Sequence, residues 1–237
     1  MKRRSGRAPE EIRHLKFTRA FTDRAPGSVL VEAGRTKILC TATITDQTPI
    51  WLHSEGGAWL TAEYAMLPGS THSRKPRERA RPDGRSMEIS RLIGRALRSI
   101  IDLKAMPEVT VWVDCDVLSA DGGTRTTAIN GAYVAVFDAL LSLEERKKIR
   151  QWPLRGQLAA TSVGICDGTT IVDLEYEEDH AAQVDLNVVR TSDGRVVEVQ
   201  GSAEGAPFTD EQLQEMLALA RTSCDQIVEL QKSCLGL

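Results

Sequence analysis

The chain is predicted to fold as an α+β protein, with two sheets packed against helices and the second half repeating the plan of the first. Three observations predict this. Strand-like apolar runs come in pairs joined by tight-turn dipeptides, in both halves. Each set of pairs leads into a long segment with apolar residues at helical spacing. The 237 residues suffice for a real core. The expected organisation is one domain over 1–237, internally pseudo-duplicated at about 1–143 and 155–237. Tight hairpins and long strands disfavour a pure Rossmann order.

The elements follow in order. "GSVLVEAGRTKILCTATITD" reads as two strands with a turn near Ala33–Gly34. "AWLTAEYAMLP" is short and apolar and breaks at Pro68. A helix is expected from Met87 to Leu103, with Ile89, Leu92, Ile93, Ala96, Leu97, Ile100 and Ile101 on one stripe and Arg91, Arg95 and Arg98 off it. "EVTVWVDCDVL" is a strand, and Thr124 to Leu143 is a second helix. In the second half, strand pairs are expected around Asp167–Gly168 and Asp193–Gly194. Thr209 with Gln212 three residues on forms a capping box that starts the last helix.

Composition narrows the function classes. No apolar stretch approaches a membrane span, and "MKRRSGRAPEEIR" lacks the apolar segment of a secretory signal. Five cysteines with no close CxxC pair argue against a disulfide framework or a structural zinc site. Cys40, Cys115 and Cys166 are expected to be small buried hydrophobes, and the cytoplasm is the expected compartment. The net charge of −3 argues against a protein that merely coats nucleic acid. It hides a local excess: "HSRKPRERARPDGRSMEISRLIGRALR" holds eight Arg and one Lys against three acids. Its first part is too polar for a core and reads as an exposed loop. Such one-sided charge favours a polyanion partner.

Two segments carry the candidate chemistry. In "SADGGTRTTAINGA" two glycines permit a tight turn before a helix start. The segment is either a plain helix N-terminus or an anion site in which free amides and Arg125 hold phosphate. In "DLEYEEDHAAQVDLNVV", strand alternation would put Asp173, Glu175 and Glu177 on one face, with Asp179 at the following turn. Asp185, between Val184 and Leu186, is costly unless something binds it. That something is either an arginine or structural hydrogen bond, or a Mg²⁺ site or acid–base role. His180 is an exposed candidate beside these acids. Nucleophile elbows, HExxH, Walker A and GxGxxG patterns are absent. Arginines, Gly/Thr amides and carboxylates together suit chemistry at phosphorus.

At this point the chain closely resembles the ribonuclease PH family, bacterial phosphate-dependent 3′-exoribonucleases that trim tRNA ends. The likeness runs almost end to end, through "GAWLTAEYAMLP", "MEISRLIGRALR", "DCDVLSADGGTRTTAINGA", "DLEYEEDHAAQVDLNVV" and "VEVQGSAEGAPFT". It implies the ribosomal-protein-S5-domain-2-like fold, a duplicated βαβα arrangement, and a homohexameric ring built as a trimer of dimers. It places the phosphate site on Arg85, Gly123, Thr124 and Arg125, the essential carboxylates and metal ligands on Asp179 and Asp185, and the tRNA contacts on Arg74 and Arg77. It implies Mg²⁺ (or Mn²⁺) as cofactor and inorganic phosphate as co-substrate. The reaction would release nucleoside 5′-diphosphates from tRNA precursors and other structured RNA, and would run backwards as a nucleotidyltransferase. The alternative within the same fold is a non-catalytic RNA-binding ring subunit of an exosome-like assembly. The chain departs from the family's pattern at Gly69, where an RNA-contacting arginine is usual, at His180, where serine is usual, and in a slightly shorter loop before Gly84. Lys75, Arg79 and Arg81 are candidates to compensate for Gly69.

Overall fold

The computed structural model describes residues 3–77 and 83–237. The first sheet has the order β1-β2-β3-β5-β4, from β1 (Leu15–Arg19), β2 (Gly27–Ala33), β3 (Thr36–Thr45), β4 (Trp59–Met66) and β5 (Thr110–Ser119). All its pairs are antiparallel except β4 with β5, which are joined through helix α1 (Gly84–Arg98). The second sheet is wholly antiparallel, with order β7-β6-β8-β9, from β6 (Leu158–Cys166), β7 (Thr169–Val172), β8 (Val184–Thr191) and β9 (Val196–Ala203). The expected α+β class is what is found, with strands feeding helices in both halves; the parallel crossover occurs only in the first.

Helix α2 (Thr124–Glu145) packs on β2 and β3 of one sheet and on β6 of the other. By length and composition it could cross a membrane, contrary to the expectation that no stretch approaches a span, but it is the core helix and most of it is buried. A Cβ on its Gly131 would stand 2.5 Å from Val31 Cγ1 and 2.8 Å from Cys40 Sγ, so only glycine lets the helix lie this close to the sheet. Asn130 ties α2 to β6 by both edges of its amide, accepting from Ala160 N–H at 2.8 Å and donating to Ala160 O at 2.9 Å. Helix α4 (Asp210–Leu235) covers β6, β7 and β8. With α2 and α4 both against it, β6 is buried along its whole length. Thr209 and Gln212 form the expected capping box at the start of α4. The expected hairpin turns at Asp167–Gly168 and Asp193–Gly194 are present.

Two expectations are corrected. The first helix spans Gly84–Arg98, three residues earlier than Met87 and short of Leu103. Asp83 caps it by accepting from Ser86 N–H at 2.6 Å, which brings Arg85 into the first turn. The acidic segment is not a strand face: β7 stops at Val172 and Asp173 takes a left-handed φ of 50°. Glu175 then caps a short helix, α3 (Tyr176–Ala181), through a capping box with Glu178. Asp179 therefore sits in a helix rather than a turn. Of the cysteines, Cys40, Cys115 and Cys166 are buried as expected, and so is Cys224. Burial pushes the thiols of Cys166 and Cys224 up to about 11 and about 12, which leaves them unreactive.

Candidate active site

The two halves meet at the Gly-Gly loop. Gly122 and Gly123 both have left-handed φ, 76° and 62°. A Cβ on Gly122 would lie 2.4 Å from Leu174 O and 2.8 Å from Tyr176 N, so the loop is pressed against the start of α3. Gly123 is the N-cap of α2. The first-turn amides of a helix have no intrahelical acceptor and attract anions, and here they belong to Thr124 and Arg125. Tyr64 of β4 donates its hydroxyl hydrogen to Thr124 Oγ1 at 2.9 Å and fixes that buried side chain. Burial raises the Tyr64 phenol above its ordinary value, so it stays a donor.

Arg125 is held from two sides. Its guanidinium donates to Glu88 Oε1 of α1 at 3.0 Å and to Gln200 Oε1 of β9 at 2.7 Å, while Gln200 donates to the same Glu88 oxygen at 2.8 Å. One face of the cation is thus anchored to α1 and the second sheet. Arg85, in the first turn of α1, is exposed and makes no ion pair or side-chain hydrogen bond among the described residues.

The carboxylates converge on these arginines. Asp185 is the second residue of β8, with Gly164 and Ser202 as its neighbours on the flanking strands. Burial, and then the negative charge of Asp179, push its carboxyl up to about 6, against the pull of Arg125 and Arg85. Its Oδ1 is buried and has no hydrogen-bond partner among the described residues. Asp179 of α3 is likewise raised by burial and drawn down by Arg85 and Arg125. Asp179, Asp185, Arg85 and Arg125, nominated on separate segments, therefore share one electrostatic site beside the N-terminus of α2. Among the described residues no group of three potential metal ligands occurs. A pair of hard oxygen donors, one with an orphaned buried atom, nonetheless fits a Mg²⁺ or Mn²⁺ ion that retains most of its waters.

Of the alternatives for the acidic segment, the arginine partner is found at three of its residues. Asp173, Glu175 and Glu178 are structural and belong to arginines of the N-terminal segment, which reads in the sequence only as a basic tail. Arg13 donates to Asp173 Oδ1 at 2.6 Å and Oδ2 at 2.9 Å, and also to Asp121 O at 2.7 Å. Arg3 grips Glu178 with two bonds of 2.8 Å and reaches Val172 O at 2.9 Å. Arg7 bonds Glu175 at 3.1 Å. These contacts join the Gly-Gly loop to α3 and so set Asp179 relative to the helix N-terminus. Arg74 and Arg77 are exposed, and Lys75 is half-buried with its ammonium 3.7 Å from Asp83. Arg79 and Arg81 fall outside the described residues. Around Gly69 there is open space where a Cβ would stand. His180 is exposed, and its ring lies parallel to that of Tyr176.

The fold is similar to that of rice (Oryza sativa) Rrp46, at 20% identity over 98% of this chain and 100% of that one, with a TM-score of 0.80. It is similar also to a chain of the Archaeoglobus fulgidus exosome with RNA bound to the active site (22%, 96% and 92%, 0.82) and to one of the archaeal exosome core (20%, 98% and 91%, 0.80). At such identities the likeness is one of fold. The sequence itself matches the 3′ exoribonuclease family, domain 1, over residues 11–142 and domain 2 over residues 156–223. Domain 1 supplies the cations and helix N-terminus of the site and domain 2 its carboxylates, and with both present in order the chain belongs to the 3′ exoribonuclease family.

Proposed function

We propose that the protein is a phosphorolytic 3′-to-5′ exoribonuclease acting on tRNA precursors and other structured RNA. The observation that carries this reading is the convergence of Arg85 and Arg125 with Asp179 and Asp185 at the start of α2. Hydrolysis needs no anion clamp next to its carboxylates; phosphorolysis does. Inorganic phosphate would lie on the amides of Thr124 and Arg125 and on the two guanidiniums. One of its oxygens attacks the last phosphodiester phosphorus in line, and the 3′-oxygen of the penultimate nucleotide leaves. The products are a nucleoside 5′-diphosphate and an RNA one residue shorter. Asp185, with its carboxyl raised to about 6, supplies the proton that the leaving oxygen takes up and recovers it in the reverse direction. Asp179, and Asp185 once it has released its proton, would hold a divalent cation, whose chemistry is to neutralise charge on the phosphoryl oxygens. Arg74 and Arg77 would hold the RNA upstream, and the chain would work as a homohexameric ring.

A second reading has an observation in its favour: two of the solved structures named above are of archaeal exosomes. The chain would then be an RNA-binding ring subunit that does not cut. One assay separates the two. A tRNA with extra 3′ nucleotides is incubated with Mg²⁺ or Mn²⁺, with and without phosphate, and the mononucleotide product is identified. Diphosphates formed only with phosphate support phosphorolysis. Monophosphates formed equally without it point to hydrolysis. RNA that is bound but never shortened assigns the non-catalytic role.

A further inference from the structure

A cleft of 360 Å³ opens beside Asp121, the residue before the Gly-Gly loop, lined among others by His14, Arg35, His72 and Tyr176. Its volume is that of a small-ligand site. Tyr176 is the first residue of α3 and is 48% exposed. No core contact accounts for a large ring left in solvent here. The His72 ring, from the basic segment, comes within 6.0 Å of it at an interplanar angle of 54°. The His180 ring, four residues further along the chain, lies 6.2 Å away, with planes only 7° apart. Three flat rings from two separate segments thus cluster at Tyr176, and two of them, His72 and Tyr176, line the cleft. Asp179 is three residues along the same helix, about 4.5 Å of axial rise from Tyr176. That is within the span of one nucleotide.

The chemistry of the cluster selects its occupant. Ring faces take flat π-systems, and every nucleobase presents one irrespective of sequence. The cleft's lining carries Arg4, Arg7, Arg13 and Arg35 against Asp121, Glu175 and Glu177; the Arg35 side chain is 84% exposed, and its nearest carboxylate, on Asp121, is 3.9 Å away. A planar group flanked by anions suits this lining better than an aliphatic or peptidic one. We propose that Tyr176, with His72 and His180 beside it, is a stacking platform that takes a nucleobase from the 3′ end of single-stranded RNA into this cleft. The inference rests on the reading that RNA is the ligand. It does not depend on whether the RNA is cut.

The test is equilibrium binding of the full chain to a short 5′-fluorescent oligoadenylate and to the same oligomer with abasic residues at its last two positions. Phosphate is left out, so that no turnover intervenes. Tyr176→Ala should weaken binding of the intact oligomer roughly 5- to 150-fold, the range for losing one base–aromatic stack. It should leave the abasic oligomer where the wild type binds it. Tyr176→Phe should keep wild-type affinity, whereas Tyr176→Leu, which keeps apolar bulk without a ring, should behave as the alanine variant does. Equal affinity of the wild type for the two oligomers would overturn the proposal. So would an alanine variant that weakens both alike, since the residue would then act through the backbone or the fold. Phosphate-dependent shortening is scored separately, so a chain that stacks bases without cutting RNA would refute phosphorolysis and leave the platform standing.

Discussion

Asp185 carries a cost in the free protein that its function would explain. Its carboxyl moves from an ordinary 3.8 to about 6 on folding, because burial and Asp179 disfavour the anion. The folded chain therefore keeps a proton, between those two values, that the unfolded chain has released. This contribution to stability is greatest below pH 3.8 and is lost as pH rises through 6. Above that, the anion costs up to roughly 3 kcal/mol, since each tenfold change in proton affinity is worth about 1.4 kcal/mol. Asp185→Asn is nearly isosteric and removes the cost. It should abolish most phosphorolysis and, without divalent cation, raise the melting temperature at pH 7 by up to about 6–12 °C, at about 2–4 °C per kcal/mol for a chain of this size. In acid below about pH 3, where both forms are neutral, the two proteins should melt alike. Full activity in the variant would remove Asp185 from the mechanism, and a lowered melting temperature at pH 7 would contradict the buried-anion account.

At the scale of elements, legibility follows the range of the interactions. The capping box of α4 and the Asp-Gly hairpins involve residues a few positions apart, and the sequence marks them where they stand. Helix α3 is not marked, because its start depends on Asp173 turning left-handed under the grip of Arg13, a partner at the other end of the chain. Neither Arg13 nor Arg3 has a local pattern to distinguish it; the only signal is an excess of arginine early in the chain facing an excess of acid later. Their contribution is measurable. Arg13→Ala would leave the buried Asp173 carboxylate with only the longer Arg7 ion pair of 3.6 Å, and breaking a buried pair outright typically costs about 3–5 kcal/mol, the upper limit here. The pair holds the Asp173 carboxyl below its ordinary value. Its stabilisation is thus present above that value and disappears as pH falls through the lowered one. Urea melts at pH 7 should show the loss and melts in strong acid should not, while Asp173→Asn added to Arg13→Ala should recover part of it. A melt unchanged at pH 7 would show that the strap does not hold the site together.

The exposed basic segment should behave oppositely. Arg74 and Arg77 make no ion pair or side-chain hydrogen bond among the described residues, so neutralising both should move stability by less than about 0.5 kcal/mol. If each meets one phosphate, tRNA binding should weaken and the log–log salt slope should fall by roughly 0.7–0.9 for each. Gly69→Arg enters open space and should tighten tRNA binding. An unchanged salt slope in the double variant would leave the segment as a solvated surface.

For the whole molecule, the unexplained surface is the face of the first sheet away from the helices. Trp112 is exposed there, and Glu63, Asp114 and Asp116 line a groove at its border that Arg91 of α1 also lines. Asp114 and Asp116 are both raised by partial burial, Asp114 also by its two acidic neighbours. Like charges gathered on a half-buried sheet face are unfavourable in an isolated chain. They become favourable against a cationic surface, and this chain carries one in the segment around Arg74 and Arg77. A ring of copies would satisfy both, and would also gather the basic segments where RNA enters. Sedimentation at low salt should therefore give a species near six times the 26.0 kDa chain. Raising the ionic strength, which screens exposed charges beyond about 10 Å at 0.1 M, should shift it towards smaller species. Asp114→Asn with Asp116→Asn should do the same at low salt without lowering the melting temperature of the single chain. A monomer that remains fully active on tRNA would rule the ring out, and an assembly indifferent to both salt and the double substitution would place its contacts on another face.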